Sequence, residues 1–192
     1  EFGLYISING GDTWKKFENN VPPVAIHHLE LQKTTNDLVL ATHGRGIIII
    51  DDISPLREIN QESLSEKLYF FEKDNYTMSD QSGFADDFGR ETQFFGANSS
   101  LNARIKYLLP KRHTFGKMTM EVFDETGKSI VKLSPGKSKG MNFVTWNYRM
   151  SQPKVAKGKT LARGGLTSPR VKEGKYNIVI NKGRDSFSKP CL

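Results

Sequence analysis

The sequence predicts an all-β protein with two sheet-forming regions. Three observations carry this prediction: short apolar runs bounded by Gly, Pro and Asn, a Phe count of 12 in 192 residues, and a charge that changes sign along the chain. Short runs of this composition are typical of strands. Residues 1–103 hold 8 Lys/Arg and 16 Asp/Glu (−8), whereas residues 104–192 hold the remaining 20 and 5 (+15). Such a split indicates a change of domain.

In the first region, the apolar pattern predicts five strands, over residues 2–7, 13–17, 26–31, 38–42 and 47–50. The last of these, Ile47 to Ile50, is expected to be buried on both faces because it is a short, uninterrupted β-branched run between turn residues. Residues 57–68 are the one stretch that fits a short helix or helical linker. The polar stretch from about 73 to 103 fits a connector.

In the second region, the predicted strands are 103–109, 117–123, 129–133, 142–148 and 175–181. Strands at this spacing without intervening helices indicate a sandwich. The turn 124–127 should need a positive φ at Gly127. The domain boundaries that follow are 1–56, a connector at 57–100, a sandwich at 101–183 and a tail at 184–192.

The segment from Ser7 to Trp14 carries the most specific pattern in the chain. It fits Ser-x-Asp/Asn-x-Gly-x-Thr-Trp, the Asp box or BNR repeat, with matches at Ser7, Asn9, Gly11, Thr13 and Trp14. The Asn9 side chain is expected to bond to the turn backbone, Gly11 to take a positive φ, and the Trp14 indole to cover the base of the hairpin. This motif is a structural one, and it predicts shape rather than chemistry.

The run from Leu38 to Asp52, followed by Pro55-Leu56, resembles the closing blade of large bacterial BNR-repeat propellers. These are similar to the sortilin-type ten-bladed propeller and are often labelled glycosyl hydrolases. Further along, Gly140–Trp146 and Val171–Tyr176 resemble an Ig-like domain similar to that of the flagellar hook-capping protein, with Val171 where that family has Pro. The resemblance implies partial β-propeller blades followed by an Ig-like antiparallel β-sandwich.

The same resemblance implies further properties. Trp146 and Tyr176 would be sandwich core residues, and the chain would be the C-terminal part of an extracytoplasmic protein whose upstream blades are its partners. The incomplete blade would leave strand edges that self-association or the second domain must cover. A sialidase site gathers arginines and a tyrosine nucleophile from several blades, so the site residues would lie upstream and none here would be catalytic.

Other residues of types that form metal or catalytic sites are expected to have structural roles. His27, His28 and His43 lack the further ligands that a metal site requires, and no cofactor is predicted. Asp51 and Asp52 are adjacent on a strand and point to opposite faces, so they cannot flank one bond. The lone Cys191 cannot form an intrachain disulfide. No apolar run approaches the ~20 residues that span a bilayer.

The basic loop between 153 and 172 offers a possible contact for a polyanion. Its cations are Lys154, Lys157, Lys159, Arg163, Arg170 and Lys172. The loop has no aromatic residues for base stacking, which disfavours nucleic acid and favours a solvated loop.

Three functions are therefore open. The favoured one is a non-catalytic accessory region of a secreted propeller that supports glycan or protein binding. The second is the structural part of a secreted glycosyl hydrolase or peptidase-like hydrolase. The third is a polyanion-binding module.

Overall fold

The computed structural model describes residues 2–72, 76, 102–152 and 168–191. Its secondary structure is mostly antiparallel strand, so the all-β prediction is confirmed. The chain forms two units, Glu1–Phe71 and Glu72–Leu192. Within the described ranges, no helix has the length and apolar character needed to cross a bilayer.

Residues 2–71 of the first unit form six strands. They are β1 (Leu4–Ile6), β2 (Lys15–Phe17), β3 (Ile26–Gln32), β4 (Asp37–Thr42), β5 (Ile47–Ile50) and β6 (Tyr69–Phe70). β1 and β2 form an antiparallel hairpin, and β3, β4 and β5 form an antiparallel sheet in that order. The five strands predicted before residue 51 are all present, with bounds shifted by up to two residues.

The core of the first unit centres on Leu40, which is fully buried in β4. Leu4 and Val21 are buried with it. Half-buried apolar residues pack against these three, namely Phe17, Ile26, Leu38, Ile48 and Ile50. Side chains alternate between the two faces of a strand, so Ile48 and Ile50 reach this core while their neighbours in β5 point away from it.

The prediction that Ile47–Ile50 is buried on both faces is wrong. Ile47 is 70% exposed and Ile49 is 58% exposed. β5 is an edge strand of its three-stranded sheet, and only one of its faces meets the core. An apolar run of this length indicates a strand, but it does not indicate whether one or both faces of the strand are buried.

Two short helices replace the single helix expected over 57–68. They are α1 (Ser54–Glu58), with Pro55 in its first turn, and α2 (Gln61–Ser65). The break falls at Asn60, whose side chain accepts from the Ser63 backbone N–H at 2.8 Å while Ser63 Oγ accepts from the Asn60 N–H at 2.9 Å. This capping box starts a new helix, and so it ends any continuous one.

The described residues of the second unit form six strands. They are β7 (Ala103–Leu109), β8 (Met118–Asp124), β9 (Ser129–Leu133), β10 (Gly140–Trp146), β11 (Tyr176–Lys182) and β12 (Asp185–Cys191). β7 pairs antiparallel with β10, and the other four form an antiparallel sheet in the order β12-β11-β8-β9. β7 and β9 have the predicted bounds, and Gly127 has the expected positive φ, +80°.

The segment 184–192, predicted to be a tail, instead contains β12. All seven residues of β12 pair with β11, from Lys182↔Asp185 to Tyr176↔Cys191. Its sequence is polar and includes Pro190, which is why it does not read as a strand. Backbone pairing to a neighbour supplies what the side-chain pattern lacks, and Pro is tolerated on an edge strand.

The core of the second unit is built from alternate residues of these strands. Fully buried side chains include Tyr107, Met120, Val122 and Ile180. The Tyr107 hydroxyl donates to the Gly136 carbonyl at 2.7 Å, so its polar atom is satisfied inside the core.

Replacing this buried hydroxyl tests its contribution. We expect Tyr107→Phe to lower the free energy of unfolding by about 1 kcal/mol, because the Gly136 carbonyl loses its partner. The measurement is urea unfolding followed by Trp146 fluorescence in a Trp14→Phe background. Thr145→Val, on the exposed face of β10, is the control and should change stability by less than about 0.5 kcal/mol. Equal losses of unfolding free energy in the two variants would contradict a stabilising role for the Tyr107 hydroxyl.

The second unit should lose stability at alkaline pH. Burial raises the pKa of Tyr107 to about 12 and that of the Cys191 thiol to about 11, from ordinary values of 10.0 and 9.0. Between about pH 9 and 12 the unfolded chain therefore binds fewer protons than the folded chain, so stability is fully present below this window and falls as pH rises through it. Urea midpoints measured across the window check this, and Cys191→Ala should reduce the loss. A midpoint that rises with pH would refute it.

Candidate functional site

The hairpin between β1 and β2, whose sequence resembles an Asp box, is held by a network of side-chain bonds that we call the Asp-box network. Asn9 Oδ1 accepts from Ser7 Oγ at 2.9 Å and from the Thr13 N–H at 3.0 Å, and Asn9 Nδ2 donates to Thr13 Oγ1 at 3.0 Å. Ser7 Oγ accepts from the Gly11 N–H at 2.8 Å. Four motif residues thus form one network around an eight-residue loop, as an Asx-type turn predicts.

Gly11 is required by backbone conformation rather than by space. Its φ is +102°, and nothing lies within 4 Å of the position that a Cβ would occupy. A side chain here would meet no neighbour, but it would force a left-handed backbone that L-residues rarely adopt.

Trp14 does not cover the base of the hairpin, contrary to expectation. Its side chain is 63% exposed. The pairing of β1 with β2 ends at Ile6↔Lys15, one residue short of Trp14, so the indole has no cross-strand partner in β1. The motif residue with the largest apolar surface therefore remains available for contact.

A second apolar surface lies on the sheet β3-β4-β5. The register pairs Val39 with Ile49 and Ala41 with Ile47, so these four side chains share one face, which we call the isoleucine face. Val39 and Ala41 are half-buried, whereas the two isoleucines are mostly exposed. Because cross-strand neighbours on one face lie about 5 Å apart, the four form one continuous apolar strip.

A cavity of about 410 Å³ lies beside the hairpin, within the first unit. Its walls are mainly apolar residues of β1, β4, β5 and the segment 53–59, and its charged lining residue is Arg57. The lining has no pair of carboxylates of the kind that glycoside hydrolysis uses.

The three histidines of the first unit each contact a neighbouring side chain. The rings of His27 and His43 stack with centroids 5.4 Å apart, and His28 lies 3.6 Å from Glu30. A bulge in β3 between Ile26 and His28 turns His27 toward His43. Across the described ranges, no group of three or more His, Cys, Asp or Glu side chains is placed to hold a metal ion.

Asp52 shapes the turn that leaves the sheet. Its backbone N–H donates to Asp37 Oδ1 at 2.8 Å, and its Oδ1 accepts from the Ser54 N–H at 3.2 Å. Bonds from Thr35 and Asp52 lower the pKa of Asp37. Through its bond to the Ser54 N–H, Asp52 caps the turn into Ser54-Pro55.

In the second unit, Trp146 and Tyr176 belong to one aromatic group. Trp146 is 3% exposed, and its ring lies 5.7 Å from Tyr176 and 5.5 Å from Tyr148 between centroids. The indole Nε1 donates to the Arg149 carbonyl at 3.0 Å. Tyr176 is only half-buried, and its hydroxyl donates to the Lys172 carbonyl. Each ring packs through its apolar body while its polar tip bonds to backbone.

The basic loop is only partly within the described ranges. Lys154, Lys157, Lys159 and Arg163 lie outside them, while Arg170 and Lys172 are exposed. Arg170 pairs with Arg149 through a single backbone bridge.

The structure also brings together a second group of Lys and Arg residues, which the sequence analysis did not identify. They lie in the turns 110–117, 134–139 and 183–184, which are far apart in sequence. Only strand pairing shows that these turns share one end of the unit. A signal was present, since Lys-Arg-His-Thr-Phe-Gly-Lys at 111–117 carries three cations around one aromatic residue.

The Asp-box network predicts distinct effects for two substitutions at one position. Asn9→Ala removes three side-chain bonds, including the one to the Thr13 N–H, and should raise the exchange rate of the Thr13 amide hydrogen at least about fivefold, corresponding to roughly 1 kcal/mol. Asn9→Asp keeps the acceptor oxygen and replaces the donor Nδ2 with a second oxygen that can accept from the Thr13 hydroxyl, so it should preserve slow exchange. Amide exchange measured by NMR checks both, with Ile8→Ala as a control outside the network. Unchanged exchange in Asn9→Ala would show that the network does not hold the loop.

Comparison with protein-family models gave no match, and comparison with curated proteins and with solved structures gave none either.

Proposed function

We propose that this chain is a non-catalytic accessory region of an extracytoplasmic protein. In this proposal the first unit is the terminal part of a β-propeller and the second is an Ig-like sandwich. The observation that carries the proposal is the Asp-box network of Ser7, Asn9, Gly11 and Thr13, because the bonds made are those the motif requires. All of these polar groups bond to the hairpin itself, and this supports a scaffold role.

The isoleucine face supports the presence of a partner for the first unit. Large apolar side chains that stay 58–70% exposed leave surface whose burial is worth about 25 cal/mol per Å². β5 is also the edge of its sheet, and exposed apolar edges favour association. In the proposal, upstream propeller blades cover this face, and a glycan or protein ligand binds the completed assembly.

Self-association of the isolated 192-residue chain tests the proposal. We expect the chain to associate at micromolar concentrations through the uncovered isoleucine face, and Ile47→Lys/Ile49→Lys to abolish this by adding two charges to it. Sedimentation velocity measures the state of each variant. Ile8→Lys/Leu64→Lys, at two other exposed apolar positions, is the matched control and should leave association unchanged.

A monomeric wild-type chain whose amides over residues 2–50 exchange rapidly would contradict the proposed need for a cover. The propeller itself is tested in the parent protein, where further Asp-box hairpins are expected in the sequence preceding Glu1. Their absence would reject the propeller while leaving the association result to stand by itself.

A further inference from the structure

Three turns of the second unit meet at one end. Leu109, the last residue of β7, pairs with Gly140, the first residue of β10, which places turn 110–117 beside turn 134–139. The His113 N–H donates to the Lys137 carbonyl at 3.0 Å and joins these two turns. The Gly183 N–H donates to the Lys117 carbonyl at 3.3 Å and joins the β11–β12 turn to them. Backbone bonds therefore fix the three turns as one surface.

This surface, which we call the basic end, is strongly cationic. Its exposed cations make no ion pair with a described residue, and they are Lys111, Arg112, Lys117, Lys137, Lys139 and Arg184. Asp185, opposite Lys182 in the register, is the one acidic residue in segments 110–117, 134–139 and 183–185. Six like charges held close together are self-repelling, so the surface gains free energy when an anionic partner approaches.

Phe115 lies in the turn 110–117, between the cations Arg112 and Lys117. Its side chain is 88% exposed, the highest value among the large apolar residues exposed in the described ranges. The loop that presents it is tied down, because Lys137 Nζ donates to the Gly116 carbonyl at 3.4 Å and the His113 bond lies two residues away. A fixed loop that displays a phenyl ring loses little conformational entropy when that ring is buried by a partner.

We propose that the basic end binds an anionic lipid surface, with Phe115 entering the interfacial region and the surrounding cations facing lipid phosphates. A soluble polyanion would satisfy the charges but would leave the phenyl ring in water. An apolar protein groove would take the ring but would leave the cations unpaired. An anionic bilayer satisfies both at once, as interfacial anchors do by combining an apolar residue with Lys/Arg at headgroup level.

Vesicle sedimentation with the full 192-residue chain tests this proposal. We expect binding to vesicles of phosphatidylcholine mixed with phosphatidylglycerol, little binding to phosphatidylcholine alone, and weaker binding as salt shortens the screening length. Each Lys or Arg near such a surface contributes roughly fivefold in affinity, so Lys111→Gln/Arg112→Gln should weaken binding about 25-fold.

The matched control is Lys128→Gln/Lys175→Gln. It removes the same charge from exposed positions at the opposite end, where Asp124 pairs with Tyr176. This variant should bind vesicles within about twofold of the wild type if the effect is local. Equal weakening in the two double variants would mean that net charge, and not the basic end, drives binding, and the proposal would fail.

The role of Phe115 separates a lipid surface from other anionic partners. Phe115→Ser should weaken vesicle binding about tenfold without changing the thermal midpoint, because the ring packs against almost nothing. Phe115→Trp in a Trp14→Phe background should show a blue-shifted emission on anionic vesicles but not on heparin or DNA. Vesicle binding that is indifferent to Phe115→Ser, or tighter binding to heparin or DNA than to vesicles, would overturn the proposal in favour of a soluble polyanion.

Discussion

The second unit depends on the pairing of β11 with a strand on each side. Seven residues of β11 face β8 and the same seven face β12, so its backbone groups are satisfied within the sheet. This permits Ile178 and Ile180 to be almost wholly buried. The pairing also holds β12 in the sheet, although the polar side chains of β12 do not predict a strand. Without β11, the turn between β11 and β12 would not be held beside Met118 at the start of β8, and the basic end would lose one of its three turns.

The first unit depends on a small core together with local hydrogen bonds. Leu40 lies in the middle strand of a small sheet, and the hairpin of β1 and β2 supplies Leu4 and Phe17 to the same core. A unit of this size buries a modest apolar area, so local devices matter more to it. The Asp-box network, the Asp52 turn and the Asn60 capping box each satisfy backbone groups that the core cannot reach.

The two units present surfaces of opposite character. The first unit presents apolar residues that its own sheet does not cover, and the second presents cations that its own acids do not neutralise. In each case the described residues supply a fixed shape and an unsatisfied physical property, and both are compatible with the proposed accessory role. The polar residues of the Asp box, by contrast, are bonded to one another and offer little to a ligand.

The sequence by itself determined the features that depend on neighbouring residues. The spacing of Ser7, Asn9, Gly11 and Thr13 predicted the hairpin because its bonds span at most four residues, and short apolar runs bounded by turn residues predicted β7 and β9. Tertiary structure alone decided the exposure of Ile47 and Ile49, the strand at Asp185–Cys191 and the meeting of the three basic turns. Layering, edge position and the convergence of distant loops arise from contacts between residues far apart in the chain, and a local pattern of side chains does not encode them.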